Sequence, residues 1–358
     1  MKRVVTVSLT LVAVLIVAVS ILAVTPLQPA PGDAAGQNPS VRVSPSVRVR
    51  PSVRVRPLVR VTMVQNLKEV NYYPADGEGT YMWSNFDPAV INRDLARIRS
   101  VGANTVRIFI QPSVFGFPVV YPVMADRLSE VIELAAEHSL WVHLTLFDLW
   151  SQFTDLSGSQ EWVSSLLSRY RDDPRIAVVE LHNEINPQDP TAVAWVTTML
   201  PYLSTVLPGT LRTVSTADVS PQVFALFTEE LKSSPPDFWD FHYYGPTQNA
   251  YTQLGWIKAL AAPLPLFVGE TGFSTSGSAA DQPALEQAQA AYYQAVFAVA
   301  AALGLPSPAP WTLYDFSPGA IPAGETADNP AEYGYGLFQA DGDPKPAVAV
   351  VRMAFSGK

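Results

Sequence analysis

From residue 66 onward the chain alternates between two textures. Short runs rich in β-branched and aromatic residues are separated by longer stretches whose apolar positions recur every three or four residues. The runs are LKEVNYY (67–73), NTVRIFI (104–110), WVHLTLF (141–147), IAVVELH (176–182), LRTVST (211–216), FWDFHYY (238–244), PLFVGE (265–270) and PWTLYDF (310–316). Between them, NRDLARIRSVG and the residue before it set Ile91, Leu95 and Ile98 on one helical face, and ADRLSEVIELAAEHS does the same with Leu128, Val131, Ile132 and Ala135. ALEQAQAAYYQAVFAVAAALG is strongly helix-forming and stops at Gly304, just before Pro306. Strands that are almost continuously apolar, each followed by a helix, imply a parallel sheet covered by helices. Eight such units is the number that closes a (β/α)8 barrel, a TIM barrel of the α/β class. A doubly wound open sheet would bring a glycine-rich first turn, and YYPADGEG after the first run is no GxGxxG fingerprint.

Upstream the pattern is different. Residues 1–25 start with Lys2 and Arg3 and continue as a long apolar stretch, which reads as an export signal or a membrane anchor. Either one delivers the rest of the chain outside the cytoplasm. Residues 26–62 read as a linker. It is first rich in Pro, Ala and Gly, and then repetitive: SVRVSP, SVRVRP, SVRVRP and a degenerate LVRVTM. The Val/Arg alternation has strand period, but Pro45, Pro51 and Pro57 interrupt it, and proline cannot donate to a central ladder. An extended spacer of roughly 3.1 Å per residue follows. Its arginines could touch anionic lipid or a wall polymer, a tether through residues 1–60; a duplicated linker with no binding role is the simpler reading. The barrel is expected over 63–358.

Charge sharpens this division. The chain of 358 residues carries a net −9. Residues 1–61 hold two lysine or arginine residues at the start and six further arginines against Asp33, which is 8 − 1 = +7, so the remainder is −9 − 7 = −16. A body this acidic is a poor nucleic-acid binder, since such affinity rests on cationic phosphate contacts. The absence of cysteine excludes disulfides, thiolate metal sites, a cysteine nucleophile and a lipid-modified N-terminal cysteine.

In a barrel of this type chemistry sits at the C-terminal ends of the strands. There the first run offers Asn71 and Tyr72, the second Arg107, and the fourth His182, Asn183 and Glu184. The sixth offers His242, Tyr243 and Tyr244, the seventh Glu270, and the eighth Trp311, Tyr314 and Asp315. Two carboxylates on the fourth and seventh runs would face each other across the barrel mouth. Two carboxyl groups flanking one bond is what glycoside hydrolysis needs: one protonated to release the leaving oxygen, one ionised to attack carbon or activate water. Asn183 can hydrogen-bond a sugar hydroxyl, a nearby arginine and a His–Tyr pair can keep a nucleophile ionised, and Trp311 suits the apolar face of a sugar ring.

The motifs VELHNEINP, LFVGETGFS, FHYYG, VRIFI and VNYYP, with YGLFQADGDPKPA near the end, resemble glycoside hydrolase family 5 of clan A, over residues 65–350 and in the family's order. The resemblance implies a retaining β-glycosidase without metal or cofactor, acting as a monomer on a β-linked glycan of mannan or glucan type. By the same resemblance Glu184 is the acid/base and Glu270 the nucleophile. Asn183 contacts the sugar 2-hydroxyl, Arg107, His242 and Tyr244 set the charge and position of the nucleophile, and Trp311 floors the −1 subsite. One motif departs from the family. Many members end the third strand in a histidine, whereas HLTLFDLW keeps His143 inside the strand and leaves Phe147, Asp148 or Trp150 for the rim. That shift points toward mannan-type and other β-glycan relatives.

Several residues have competing readings. His182 and Trp150 are candidate site groups, and Asn71 is another. Trp83 and Trp239 are candidate sugar platforms that core packing would equally explain. Glu180 and His143 are expected in the barrel interior, and His138 at a helix C-terminus, where a cation is favourable. A metal-dependent hydrolase is disfavoured by four scattered histidines with no HxH on the first run. A silent glycan-binding barrel would be signalled by loss of either glutamate, and both are present. The loops 73–88, 147–160 and 316–334 shape the subsites and carry no legible code.

Overall fold

The computed structural model describes residues 62–357 apart from Asp218. The apolar N-terminal segment and the three proline-containing repeats lie outside the described residues. Among the described residues, no helix is long and apolar enough to cross a membrane.

The apolar runs form strands β1 (Glu69–Asn71), β2 (Thr105–Phe109), β3 (Trp141–Thr145), β4 (Ile176–Glu180), β5 (Leu211–Thr213), β6 (Ser215–Ala217), β7 (Trp239–Tyr243) and β8 (Leu266–Thr271). All ladders are parallel, in the orders β1-β2-β3-β4-β5 and β6-β7-β8. The fifth run is therefore one stave in two pieces: β5 pairs with β4 and, beyond Val214, β6 pairs with β7. Strands tilted around a closed barrel slide past their first partner in this way.

The eighth run differs more from expectation, because it makes no regular ladder. Pro310 has no N–H to give, and the run joins its neighbours through single bonds. Thr271 N donates to Ala309 O (3.0 Å) and Trp311 N to Thr271 O (2.8 Å) on one side; Asn71 N donates to Pro310 O (3.2 Å) and Leu313 N to Asn71 O (3.1 Å) on the other. These bonds carry β8 round to β1, and the chain forms a (β/α)8 barrel.

Helices cover the outside for local reasons. Asp87, Asp189 and Ser220 accept first-turn N–H groups at the starts of helices Pro88–Ser100, Pro190–Val206 and Pro221–Glu230, each with proline at its first position. Ile91, Leu95 and Ile98 are buried, as are Leu128, Val131, Ile132 and Ala135 of helix Pro122–Glu137. Each of these Val, Leu and Ile side chains contributes about 1.5–3 kcal/mol of burial. Helix Gln282–Ala302 ends before Gly304, whose φ of 66° is the left-handed turn that glycine accepts freely.

Inside the barrel the alternate positions are polar. Asn71, Arg107, His143, Thr145, Glu180, Asp240 and His242 are all completely buried. The parallel register sets Asn71 beside Arg107, Arg107 beside His143, Thr145 beside Glu180, and His242 beside Glu270. Register shifts between Val142 and His143, and between Asp240 and His242, adjust the two flanks of this polar column.

Candidate active site

The polar column surfaces at one end of the barrel. Beyond β4 the chain stays attached to the fifth stave: Glu184 N donates to Ser215 Oγ (2.8 Å) and Ile185 N to Ser215 O (3.0 Å). Glu184 sits at φ 51°, in the left-handed region. That conformation costs a residue with a Cβ roughly 1–2 kcal/mol, and it persists where neighbouring bonds over-determine the backbone, as at functional positions. Glu270 stands near the end of β8 and is almost fully buried.

Arg107 organises the floor. Its Nε donates to Thr145 Oγ1 (2.9 Å) and Glu180 Oε2 (2.8 Å), its Nη1 to Asn71 Oδ1 (2.8 Å) and to Glu270 Oε1, and its Nη2 to Asn183 Oδ1 (2.9 Å). Glu270 accepts a further bond on Oε2 from the Tyr244 hydroxyl at 2.8 Å. His242 Nδ1 lies 2.8 Å from Glu184 Oε1 and 3.4 Å from Glu270 Oε2, so one imidazole N–H faces both carboxylates. One donor atom each from Glu184, His242 and Glu270 falls within 4.8 Å of the others.

These groups open into a cavity of about 330 Å³. Tyr73, Phe109, Trp311, Tyr244 and Tyr335 supply aromatic wall. Glu78, Asp148, Glu325 and Glu332 add four carboxyl groups to Glu184 and Glu270, and no lysine or arginine lines the cavity among the described residues. Trp311 Nε1 donates to Glu332 Oε2 (3.3 Å). Asp148 accepts from Gln111 Nε2 (2.7 Å) and from the Tyr73 hydroxyl (3.3 Å). Thr326 Oγ1 donates to Glu78 (3.1 Å to each oxygen) and Thr80 Oγ1 to Glu325 Oε1 (2.6 Å).

Of the residues singled out in the sequence, Asn183, Glu184, Tyr244, Glu270 and Trp311 line the cavity, with Arg107 and His242 directly beneath it. Asn71 does not reach it; its Nδ2 donates to Gly269 O (2.9 Å) and Pro310 O (3.1 Å), which helps close the barrel. His182 is also elsewhere. Its Nε2 bonds Trp150 O (2.9 Å), its Nδ1 bonds Asn183 O, and its ring packs on Phe153 and Trp195. Trp150 is packed against Phe117 and Phe147 and likewise lines no part of the cavity. Trp83 and Trp239 are core, the first donating its indole N–H to Phe109 O (2.8 Å) and the second held by Phe224 and Phe227. Of the three rim candidates at the end of the third run, Asp148 lines the cavity and Phe147 and Trp150 do not. Tyr73, Glu78, Glu325 and Glu332 escaped sequence reasoning; they come from the unread loops 73–88 and 316–334, where acidic residues look like solvated turn positions.

Electrostatics separates the carboxyl groups. Burial works to raise Glu184, but the hydrogen bond and charge of His242 outweigh it and hold the group below its ordinary value. Burial lifts Glu270 above its ordinary value against the opposing pull of His242 and Arg107. His242 loses by burial, yet Glu270 and Glu184 carry it to about 9. These shifts favour the proton on the imidazole, between two carboxylates. Farther up the wall, burial takes Glu332 to about 7, and burial with the nearby Glu332 takes Glu78 to about 8.

No protein-family model and no curated protein matches the sequence. Solved structures do match it. A Glu-to-Ala variant of a GH5_18 protein from Streptomyces cattleya, in complex with Manβ1-4GlcNAc, is 22% identical with a TM-score of 0.64, over 80% of this chain and 79% of that one. An exo-β-1,4-mannosidase from Opitutaceae bacterium strain TAV5 is 19% identical with a TM-score of 0.64, over 81% of this chain and 59% of that one. A GH2 β-galacturonidase from Eisenbergiella tayi bound to galacturonate is 14% identical with a TM-score of 0.62, over 82% of this chain and 52% of that one. The chain has the barrel fold of these glycoside hydrolases.

Proposed function

We propose that the protein is a retaining β-glycosidase that cleaves neutral β-linked glycans, with β-mannosides first. The observation that carries this reading is the spacing of the two glutamates. Carboxylate oxygens of Glu184 and Glu270 lie within 4.8 Å of each other at the cavity floor. Retaining pairs stand about 5–5.5 Å apart, whereas inverting pairs leave about 6.5–9.5 Å for a water.

In the first step an oxygen of Glu270 attacks the anomeric carbon as the glycosidic C–O bond breaks. Glu184 gives its proton to the departing oxygen. Glu184, now a base, takes a proton from water, whose oxygen displaces Glu270 from the sugar. Arg107 and Tyr244 hold the Glu270 carboxylate by donation to separate oxygens, which orients it and favours its ionised form. Asn183 spends its Oδ1 on Arg107, which leaves the amide N–H groups to offer a sugar hydroxyl. Sugar binding covers Glu184, whose side chain is 39% exposed. The lost hydration draws the proton from His242 back to Glu184, where the first step needs it.

The wall supports the choice of substrate class. A cavity with six carboxyl groups and no lining cation disfavours uronates and suits neutral rings, which can donate hydroxyls to carboxylates and stack on Trp311. The GH5_18 complex with Manβ1-4GlcNAc and the exo-β-mannosidase support a β-mannoside as the first candidate. In this reading residues 1–25 export the enzyme or hold it at the outer face of the membrane; N-terminal sequencing of the native protein tells cleavage from retention.

The test is a panel of aryl β-mannoside, β-glucoside, β-xyloside and β-glucuronide, with the first-formed anomer read by NMR. Hydrolysis giving the β-anomer, abolished in Glu270→Gln, is expected. An α-anomer product, or full activity in Glu270→Gln, would refute the mechanism.

A further inference from the structure

Beneath the catalytic pair, inside the barrel, is a second constellation that the reaction does not use. His143, Glu180 and Asp240 are completely buried and line no part of the cavity. One ligand atom from each lies within 4.8 Å of the others, and His143 Nε2 stands 3.7 Å from Glu180 Oε2. Among the described residues His143 Nε2, Glu180 Oε1 and Asp240 Oδ2 have no hydrogen-bond partner, although all three are shut away from solvent.

The other polar atom of each group is engaged. His143 Nδ1 donates to the Glu69 carboxylate at 3.0 Å and 3.1 Å, which fixes the tautomer and leaves Nε2 as a lone pair. Glu180 Oε2 accepts from Arg107 Nε (2.8 Å) and Thr145 Oγ1 (2.7 Å). Asp240 Oδ1 accepts from Gly269 N (2.9 Å), and a Cβ on Gly269 would stand 2.2 Å from that oxygen. A carboxylate behind the imidazole and hydrogen bonds behind both carboxylates is the outer shell that metal ligands have.

Water fits this arrangement poorly. The three unpartnered acceptors outnumber the two protons of a single water, and His242 Nε2, buried and likewise unpartnered, stands 4.0 Å from Asp240 Oδ1, beyond hydrogen-bond reach. Two carboxylates in the core are costly unless they are paired or coordinate a metal. Arg107 is already shared between Glu180 and Glu270.

We propose that His143, Glu180 and Asp240 bind one structural divalent cation of the zinc or manganese class in the core of the barrel. One imidazole nitrogen and two carboxylate oxygens suit these ions better than calcium or magnesium, which take oxygen ligands alone. The ion neutralises the two carboxylates and ties β3, β4 and β7 together below the site. It takes no part in bond cleavage, and the proposal stands whether or not the barrel is a glycosidase.

The experiment uses the full chain, purified without chelator, with metal content read by elemental mass spectrometry. A second sample is unfolded with chelator and refolded with zinc, manganese, calcium, magnesium or no metal, and its thermal midpoint is recorded. About one equivalent of zinc or manganese per chain is expected, with a higher midpoint after refolding with that ion. His143→Gln and Asp240→Asn should lose the ion. Glu69→Gln should weaken retention by roughly 10- to 100-fold, while Glu270→Gln keeps the full equivalent. If the core variants fail to fold, anomalous diffraction from the wild-type crystal decides by placing the ion at His143 or elsewhere. Metal-free protein with an unchanged midpoint, an ion found elsewhere, or a response to calcium or magnesium alone would overturn the proposal.

Discussion

Tyr244 donates its phenolic hydrogen to Glu270 Oε2 at 2.8 Å, on the oxygen that Arg107 does not hold. In the proposed reaction this bond stabilises the carboxylate before attack and must loosen as the glycosyl-enzyme forms. Tyr244→Phe removes the donor and little volume. Its kcat should fall by about 10²–10³-fold. Glu270, already lifted by burial, should ionise at higher pH, which moves the acid limb of kcat/KM upward. A pH–rate series on wild type and variant checks both effects, and an unmoved acid limb would remove Tyr244 from the proposed role.

Glu184 and Glu270 are shifted apart from the same ordinary value, the first down and the second up, so the form with Glu270 ionised and Glu184 protonated is a minority in the free enzyme. Activity needs Glu270 ionised and Glu184 protonated, so kcat/KM should trace a narrow bell whose limbs belong to the pair. Glu184→Ala should lose the alkaline limb. On an alkyl glycoside its kcat/KM should drop by about 10²–10⁴-fold, and much less on a dinitrophenyl glycoside, whose leaving group needs no proton. Equal losses on both substrates would contradict Glu184 as the acid.

The number and kind of elements were legible because burial on both faces leaves a strong mark on a strand. The eight-fold alternation survives although Pro310 denies the last stave a ladder and Val214 divides the fifth. Residues inside or directly after strands were legible too: period two and parallel register carry Arg107, His242 and Glu270 to one level without help from loops. His182 was not legible. The ladder ends at Glu180, and past that point alternation no longer says which way a side chain turns. The ring falls among Phe153 and Trp195 instead of at the cavity. Glu78, Glu325 and Glu332 were invisible for a related reason, since their positions depend on loop paths that no periodicity encodes.

Glu78 gives a prediction about stability. It is 5% exposed, and burial together with Glu332 carries its carboxyl from 4.5 to about 8. The folded protein therefore holds this proton more tightly than the unfolded chain. Between pH 4.5 and about 8 this group's contribution falls as pH rises, because the folded state must keep an unfavourable proton or bury a charge. Glu78→Gln keeps an acceptor for Thr326 and removes the titration. At pH 9 it should be more stable than wild type by about 1–4 kcal/mol, and the gain should vanish toward pH 4. Urea denaturation at the two pH values measures this, and a gain independent of pH would point to packing.

Arg107 is the residue for which a conservative change should fail. Its guanidinium reaches five side chains on β1, β3, β4, the Asn183 turn and β8, from three nitrogens in one plane. Arg107→Lys keeps the charge, but a single ammonium cannot span Glu180 on one side and Glu270 on the other. One of these buried carboxylates then loses its partner, and breaking a buried pair in this way costs about 3–5 kcal/mol. If Glu180 keeps the ammonium, Glu270 and Asn183 lose theirs, and kcat falls while stability suffers less. If Glu270 keeps it, stability falls further and kcat is better preserved. Equilibrium unfolding and kcat/KM measured on the same preparation should therefore show a large loss in at least one quantity. A variant with both unchanged would mean that Arg107 is not the group that binds the interior of the barrel to its mouth.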